Sequence, residues 1–455
     1  MKGFNMELSD TIAAIATPPG AGGIGIIRIS GPDSERILNE IFVPADPSAK
    51  PMKSHRLIYG SVTDGEERLD ECMAVLMRAP HSYTREDVGE LQLHGSTFIL
   101  TDILKLCVTH GARIAEAGEF TKRAFINGRI DLSQAEAVMR LISSRSEKER
   151  RSAIRQMEGG ATSFARSIAD ELYSLQAGLA ACIDYPEEIS EEEGAGDLKT
   201  GIENVLKRIE SETDEHSSRL LNDGYRVVLA GSPNVGKSSL LNSLLGEDRA
   251  IVTHIPGTTR DLIQGETVLN GIRIIITDTA GIRATEDPVE KIGVGRSERA
   301  IEEADLVFLV LDGSENLKEN DLLLLRSLKK DRAVIINKSD LDLRINPDDL
   351  SNMIPDIAVL TVSAFDHESL DPVKKIISEK ASASDMISVS QPRHIAALKS
   401  ASAILRGALK AISSSPLDLI AIDLRKAQEA IGEITGDSID EKMLDRIFSQ
   451  FCVGK

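Results

Sequence analysis

At 455 residues the chain is long enough for about three domains of ~150 residues each, which excludes a single small module. Its hydrophobic share of 41% is ordinary, and no run approaches the roughly 18 apolar residues of a spanning helix, so no membrane insertion is expected. Lys and Arg number 53 against 72 Asp and Glu, and the net charge of -19 opposes unaided binding to a phosphate backbone. The start, MKGFNMELSD, has no apolar core behind a positive end, so a cytoplasmic chain is expected. Cys72, Cys107, Cys182 and Cys452 lie far apart without a C-x-x-C pair and read as reduced thiols. The absence of Trp and an aromatic share of 3% argue against a base-stacking platform.

In chain order, residues 1–120 alternate β-rich runs (Ile24–Ile29, Met73–Met77) with helical stretches such as Thr97–Thr109, which predicts an α/β domain. Residues 121–220 read as the first part of a helical domain, with Phe164, Ile168, Leu172, Leu175, Leu179 and Ile183 at steps of three and four. Glu187, Glu188 and Glu191 to Glu193, before Gly194 and Gly196, read as a solvated linker, because clustered like charges repel. From 221 to 380 unalternated apolar runs (Val227–Ala230, Ile274–Ile276, Leu306–Leu311, Val334–Ile336, Val359–Leu360) are separated by helix-length segments. That texture predicts the parallel strands of a doubly wound domain. Residues 381–455 return to the helical stripe, with Ile395, Leu398, Leu405 and Leu409, then Ile420, Leu424, Ala427, Ile431 and Ile434. The simplest topology is one helical domain interrupted by an inserted α/β domain.

Gly231-Ser232-Pro233-Asn234-Val235-Gly236-Lys237-Ser238 follows the strand ending at Ala230 and fits G-x-x-x-x-G-K-[ST]. Glycines let backbone N–H groups curl round phosphates, and the next helix presents its positive end. Lys237 reaches the β- and γ-phosphates, and Ser238 is a Mg²⁺ ligand. The expected GTP contacts on this loop are Gly231, Asn234, Val235, Gly236, Lys237, Ser238 and Ser239. With Asp278-Thr279-Ala280-Gly281 and Asn337-Lys338-Ser339-Asp340 after later strands, the set resembles the GTPase superfamily. That resemblance implies that Asp340 accepts from guanine, that Asn337 and Lys338 brace the base site, that Asp278 holds Mg²⁺ and that Gly281 senses the γ-phosphate. Ser363 and Ala364 resemble the fifth guanine-side motif, with Phe365 where Lys is common. Thr258 and Thr259 both stand at the switch position where a Thr completes Mg²⁺ coordination, and Ile282 replaces the water-orienting Gln of Ras-type GTPases.

The whole chain resembles the family of tRNA-modifying GTPases called MnmE or TrmE. The likeness is carried by Thr17-Pro18-Pro19-Gly20, Arg28-Ile29-Ser30-Gly31, Ser82-Tyr83-Thr84, Glu86-Asp87-Val88, His94-Gly95 and Gly118-Glu119-Phe120-Thr121, and by the terminal Phe451-Cys452-Val453-Gly454-Lys455. It implies a homodimer with an N-terminal domain that binds a tetrahydrofolate derivative, a helical domain and an inserted Ras-like G domain. It also implies a heterotetramer with the FAD-containing MnmG (GidA), which adds an aminomethyl-type group to C5 of the wobble uridine of certain tRNAs. In that family K⁺ replaces an arginine finger. Carried over by motif, Asn234 is the K⁺ ligand, Glu290 positions water, and Cys452 assists one-carbon chemistry near folate. Arg28 is a candidate to pair with a carboxylate of the folate, but a structural salt bridge is the favoured reading of it. His94 reads equally as a satisfied interior histidine or a ligand-side group. The alternative to base modification is a GTP-controlled assembly or signalling switch, against which stand the folate-type domain and the terminal Cys motif.

Overall fold

The computed structural model describes residues 10–185, 191–246, 263–279, 299–327, 331–382, 389–451 and 453–454. It divides into two compact units, one of Met1–Ile142, Arg155–Ile209 and Ala396–Lys455, the other of Ser143–Ile154 and Glu210–Ile395.

In the first unit, strands β1 (Ile12–Ile15), β2 (Gly22–Ser30), β3 (Phe42–Pro44), β4 (Ile58–Asp64), β5 (Glu67–Met77), β6 (Val88–Gly95) and β7 (Arg113–Ile114) form one sheet in the order β3-β4-β5-β6-β2-β1-β7. Pairing is antiparallel except for β7, which runs parallel to β1. Helices α1 (Ser34–Ile41) and α2 (Thr97–Thr109) turn Ile37, Leu38, Ile41, Leu100 and Ile103 onto Ile27, Ile29, Leu91 and Leu93. Alternation along β5 buries Asp70, Cys72, Ala74 and Leu76 and leaves the residues between them less buried, the period of a strand with one covered face. Burial pushes the Cys72 and Cys107 thiols up to about 12, so both are inert at neutral pH.

Helix α3 (Glu119–Ile126) carries Arg123, a fully buried arginine. Its guanidinium donates to Asp10 O at 2.9 Å and Asp10 Oδ1 at 2.8 Å, to Glu86 Oε1 at 3.2 Å and to Glu119 Oε1 at 3.0 Å. Helices α4 (Leu132–Ser143), α5 (Glu147–Met157), α6 (Gly160–Asp184) and α7 (Glu191–Glu212) follow. The stripe of α6 buries Ile168, Leu172 and Leu179 but ends on Cys182, while Ile183 is turned outward. Glu191 to Gly196 open α7 instead of forming a linker. Gly194 explains why the chain packs there: a Cβ on it would come within 2.5 Å of Cys182 Sγ.

The second unit contains α8 (Glu215–Asp223), β8 (Tyr225–Ala230), α9 (Lys237–Leu245), β9 (Ile263–Leu269), β10 (Ile272–Asp278), β11 (Leu306–Asp312), α10 (Glu319–Ser327), β12 (Arg332–Asn337), α11 (Pro347–Met353), β13 (Ala358–Thr361) and α12 (Asp371–Lys380). The strand order is β13-β12-β11-β8-β10-β9. β8, β10, β11, β12 and β13 are parallel, and the apolar runs of β8, β10, β11 and β12 are buried, whereas that of the edge strand β13 is only partly so. β9 is an antiparallel edge strand that the apolar-run criterion passes over, because IQGETVL is half polar. Residues 143–154 also belong to this unit: Lys148 N donates to Gly271 O at 3.2 Å, and Ser152 Oγ lies 2.9 Å from Ser390 Oγ.

The chain closes with α13 (Pro392–Ala411), which belongs to the first unit from Ala396 onward, α14 (Leu417–Thr435) and α15 (Glu441–Phe448). Ile420, Leu424, Ala427, Ile431 and Ile434 form the buried stripe of α14, which meets α6 where Gln176 Nε2 donates to Gln428 Oε1 at 3.0 Å. No helix among the described residues is long and apolar enough to cross a membrane.

Candidate nucleotide site

The carboxyl end of the parallel sheet is where such folds bind ligands, and the motif residues converge there. The loop between β8 and α9 needs two glycines. Gly231 (φ +146°) would place a Cβ 2.4 Å from Val310 O, and Gly236 (φ +95°) would place one 2.2 Å from Asn337 Nδ2. Asn234, the expected K⁺ ligand, takes the left-handed conformation (φ +67°) at the exposed crest of the loop, which suits a short polar side chain. Val235 is buried under the loop, and Ser239 is exposed on the first turn of α9.

Lys237 opens α9 and is 6% exposed. Its ammonium donates to Gly231 O at 3.0 Å and to Ser232 O at 2.9 Å. Burial lowers its pKa, and the carboxylate of Asp278 opposes that shift. Ser238 Oγ donates to Asp278 Oδ2 at 2.5 Å. The other oxygen, Asp278 Oδ1, is buried and has no hydrogen-bond partner among the described residues. A buried carboxylate oxygen left unpartnered beside a serine hydroxyl is a donor set that fits a hard divalent cation. Thr279 next to it is fixed by its hydroxyl and its N–H, which both donate to Leu229 O.

On the base side, Asn337 links two loops: its Nδ2 donates to Val235 O at 2.9 Å, and its Oδ1 accepts from Ala364 N at 3.1 Å. Lys338 (φ +66°) donates to Asp312 Oδ2 at 2.5 Å. Burial pushes the Asp312 carboxyl up, and hydrogen bonds from Lys338 and Ser314 outweigh it, leaving the group below its ordinary value. Ser363 Oγ donates to Asp340 Oδ1 at 2.5 Å and accepts from Phe365 N at 3.2 Å, so the acidic group expected to face guanine is oriented from behind. Phe365 itself is exposed. Asp312 and Ser314 were not singled out by motif reading; the D-x-S spacing, which makes a local side-chain turn, is the sequence signal that finds them. Thr258, Thr259, Gly281 and Glu290 lie outside the described residues.

Gly236→Ala should be severe, since it adds left-handed strain of about 1–3 kcal/mol and drives a methyl into Asn337. Affinity for a fluorescent GTP analogue is expected to fall about tenfold or more.

In the N-terminal part, Arg28 Nε donates to Glu90 Oε1 at 2.7 Å, and the guanidinium lies 5.8 Å and 5.7 Å from the ring centroids of Tyr83 and Phe120. Arg28 also donates to Gly454 O at 3.3 Å. His94 is not interior: its side chain is 69% exposed, with Nδ1 2.7 Å from Asp70 Oδ1, a bond that raises the imidazole above its ordinary pKa. Cys452 lies outside the described residues, but Val453 bridges to Ala117 and lines an apolar cavity of about 730 Å³ with Ala14 to Gly20, Leu100 and Leu104. Arg28 does not line that cavity.

The model of the GTP-binding protein TrmE N-terminus matches residues 11–129, and the model of the MnmE helical domain matches residues 132–452. Over 464 residues the chain is 42% identical to the tRNA modification GTPase MnmE of Bacillus pumilus, covering 98% of this chain and 100% of that protein. The chain belongs to the MnmE family. The MnmE of Enterococcus faecalis is 40% identical over 472 residues, 100% of both chains, and that of Clostridioides difficile is 42% identical over 459 residues, 99% of this chain and 100% of its own. Family membership accounts for the whole architecture: a TrmE-type N-terminal domain, a helical domain and a Ras-like GTPase domain in one chain.

Proposed function

We propose that this chain is a GTP hydrolase that acts in tRNA modification, as the names of its MnmE relatives say, and that the base it modifies is the wobble uridine. The observation that carries the reading is the meeting of Lys237, the Ser238–Asp278 pair and the Asp340–Ser363 pair at one end of a parallel sheet, in a chain alike to those relatives end to end. Lys237 holds phosphate charge, and Asp340 accepts from the guanine N1–H and exocyclic amine, donors that adenine does not offer in that geometry. Ser238 and Asp278 would hold Mg²⁺, which when bound neutralises charge on the β- and γ-phosphates.

Further parts of the reading rest on the family likeness. Asn234 binds K⁺, whose charge stands in for an arginine finger, and Glu290 orients the attacking water. Thr258 or Thr259 completes the Mg²⁺ shell. A tetrahydrofolate derivative supplies the one-carbon unit, and the cavity beside Val453 has the volume of a small-molecule site. Cys452, next in sequence to Val453, assists that chemistry. Two copies of the chain join an FAD-containing MnmG partner, whose basic surface would hold the tRNA that a net charge of -19 repels.

Steady-state hydrolysis tests the core of this. GTP is expected to turn over faster in K⁺ than in Na⁺, and ATP not at all. Asp340→Asn should weaken GTP binding roughly 5- to 150-fold, the range for losing a paired base contact. Equal turnover of GTP and ATP would overturn the nucleotide assignment, and equal rates in the two salts would overturn the potassium role alone.

A further inference from the structure

The phosphate loop has a second anchor that the nucleotide motifs do not contain. Ser232, the second residue of the loop, donates its hydroxyl to Asp321 Oδ1 at 3.1 Å. Asp321 sits in the first turn of α10 and is only 8% exposed. The same Ser232 offers its carbonyl oxygen to Lys237 Nζ at 2.9 Å, with Gly231 O at 3.0 Å completing the cradle. One residue therefore faces two ways, its side chain toward α10 and its backbone toward the lysine. The bond to Asp321 ties the Cα of Ser232, the atom between the two peptides whose carbonyls receive Lys237, to α10. Gly231 at φ +146° has no side chain with which to anchor the loop, and the Ser232 hydroxyl supplies a side-chain anchor at the next residue.

We infer that Asp321 is a positioning residue for GTP turnover: by holding the Ser232 hydroxyl it fixes the carbonyls that aim Lys237 at the phosphates. The bond is long at 3.1 Å, but its acceptor is nearly buried, so water competes little for it. Positioning of a charged donor matters most where charge develops, so the link acts on turnover more than on substrate affinity. The inference rests on the GTPase reading above, and it adds a residue on α10 that lies outside every nucleotide motif.

The test compares Ser232→Ala, Asp321→Ala, the double variant and Asp321→Asn in the full-length chain, with kcat and KM for GTP, affinity for GDP, and melting temperature. Ser232→Ala and Asp321→Ala should each lower kcat about tenfold with KM within about twofold, and each should weaken GDP about threefold. The double variant should be no worse than either single one, because both remove the same link. Asp321→Asn keeps an acceptor at Oδ1 and should recover most of the turnover. A merely structural role would lower the melting temperature and leave the kcat-to-KM split unchanged. Wild-type kcat and GDP affinity in Ser232→Ala would overturn the inference, as would multiplicative losses in the double variant. Should Asp321→Ala not fold, Ser232→Ala decides alone. Failure of the wild-type chain to hydrolyse GTP would instead overturn the functional reading, and the threefold GDP difference would still decide the link.

Discussion

Lys237→Ala is expected to lower GTP turnover roughly 10²–10³-fold, the usual loss when a preorganised charged donor is removed from a transition state. The side chain is 6% exposed and held by two loop carbonyls, so nothing else among the described residues sits where its ammonium does. Stability should move little. Burial places its pKa below the ordinary 10.5, which means the cation is a cost to folding at neutral pH; that cost is relieved only as pH rises through the lowered value. Removing the cation removes that cost together with its hydrogen bonds. Single-turnover hydrolysis alongside thermal melting separates the two effects: a fold that melts as before with turnover lost is the expected pair.

Arg123→Met should be the most destabilising single change in the N-terminal part, by about 3–5 kcal/mol, the range for removing one partner of a buried ion pair. The guanidinium is fully buried and serves Asp10, Glu86 and Glu119 together. Without it these carboxylates face one another, and among the described residues only the Arg113 side chain still pairs with Asp10 and Glu119. Burial pushes the Glu119 carboxyl up, but bonds from Arg113, Glu116 N and Arg123 outweigh it, so the group lies below its ordinary 4.5. A depressed carboxylate contributes stability that is present above its unfolded value and lost as pH falls through the folded one. The wild-type chain should therefore weaken in that acid window, and Arg123→Met should flatten the dependence. Urea unfolding at a series of pH values measures both; unchanged stability in the variant would mean the network contributes nothing net.

The G domain was legible because its signals are local. A strand, a glycine loop and an amphipathic helix stand side by side in sequence, and parallel strands buried on both faces betray themselves as apolar runs. The helix Thr97–Thr109 was legible for a similar reason, an apolar stripe of adequate length. What escaped depends on distant partners. The acidic run from Glu191 reads as a linker until Gly194 is seen packed on Cys182. β9 is stabilised by its ladder with β10 rather than by its own composition. His94 has the residue type of either an interior or a ligand-side group, and only the buried Asp70 beside it shows that the ring is outside and tethered. The Asp321–Ser232 contact joins residues far apart in the chain and has no motif.

The measurement that bears most directly on the central claim is nucleoside mass spectrometry of bulk tRNA from cells lacking this gene, complemented with the wild-type chain, Lys237→Ala or Cys452→Ser. A C5-aminomethyl-type uridine is expected to disappear, to return with the wild-type chain and to fail to return with either variant. A nucleoside profile that is unchanged by loss of the gene would contradict that claim.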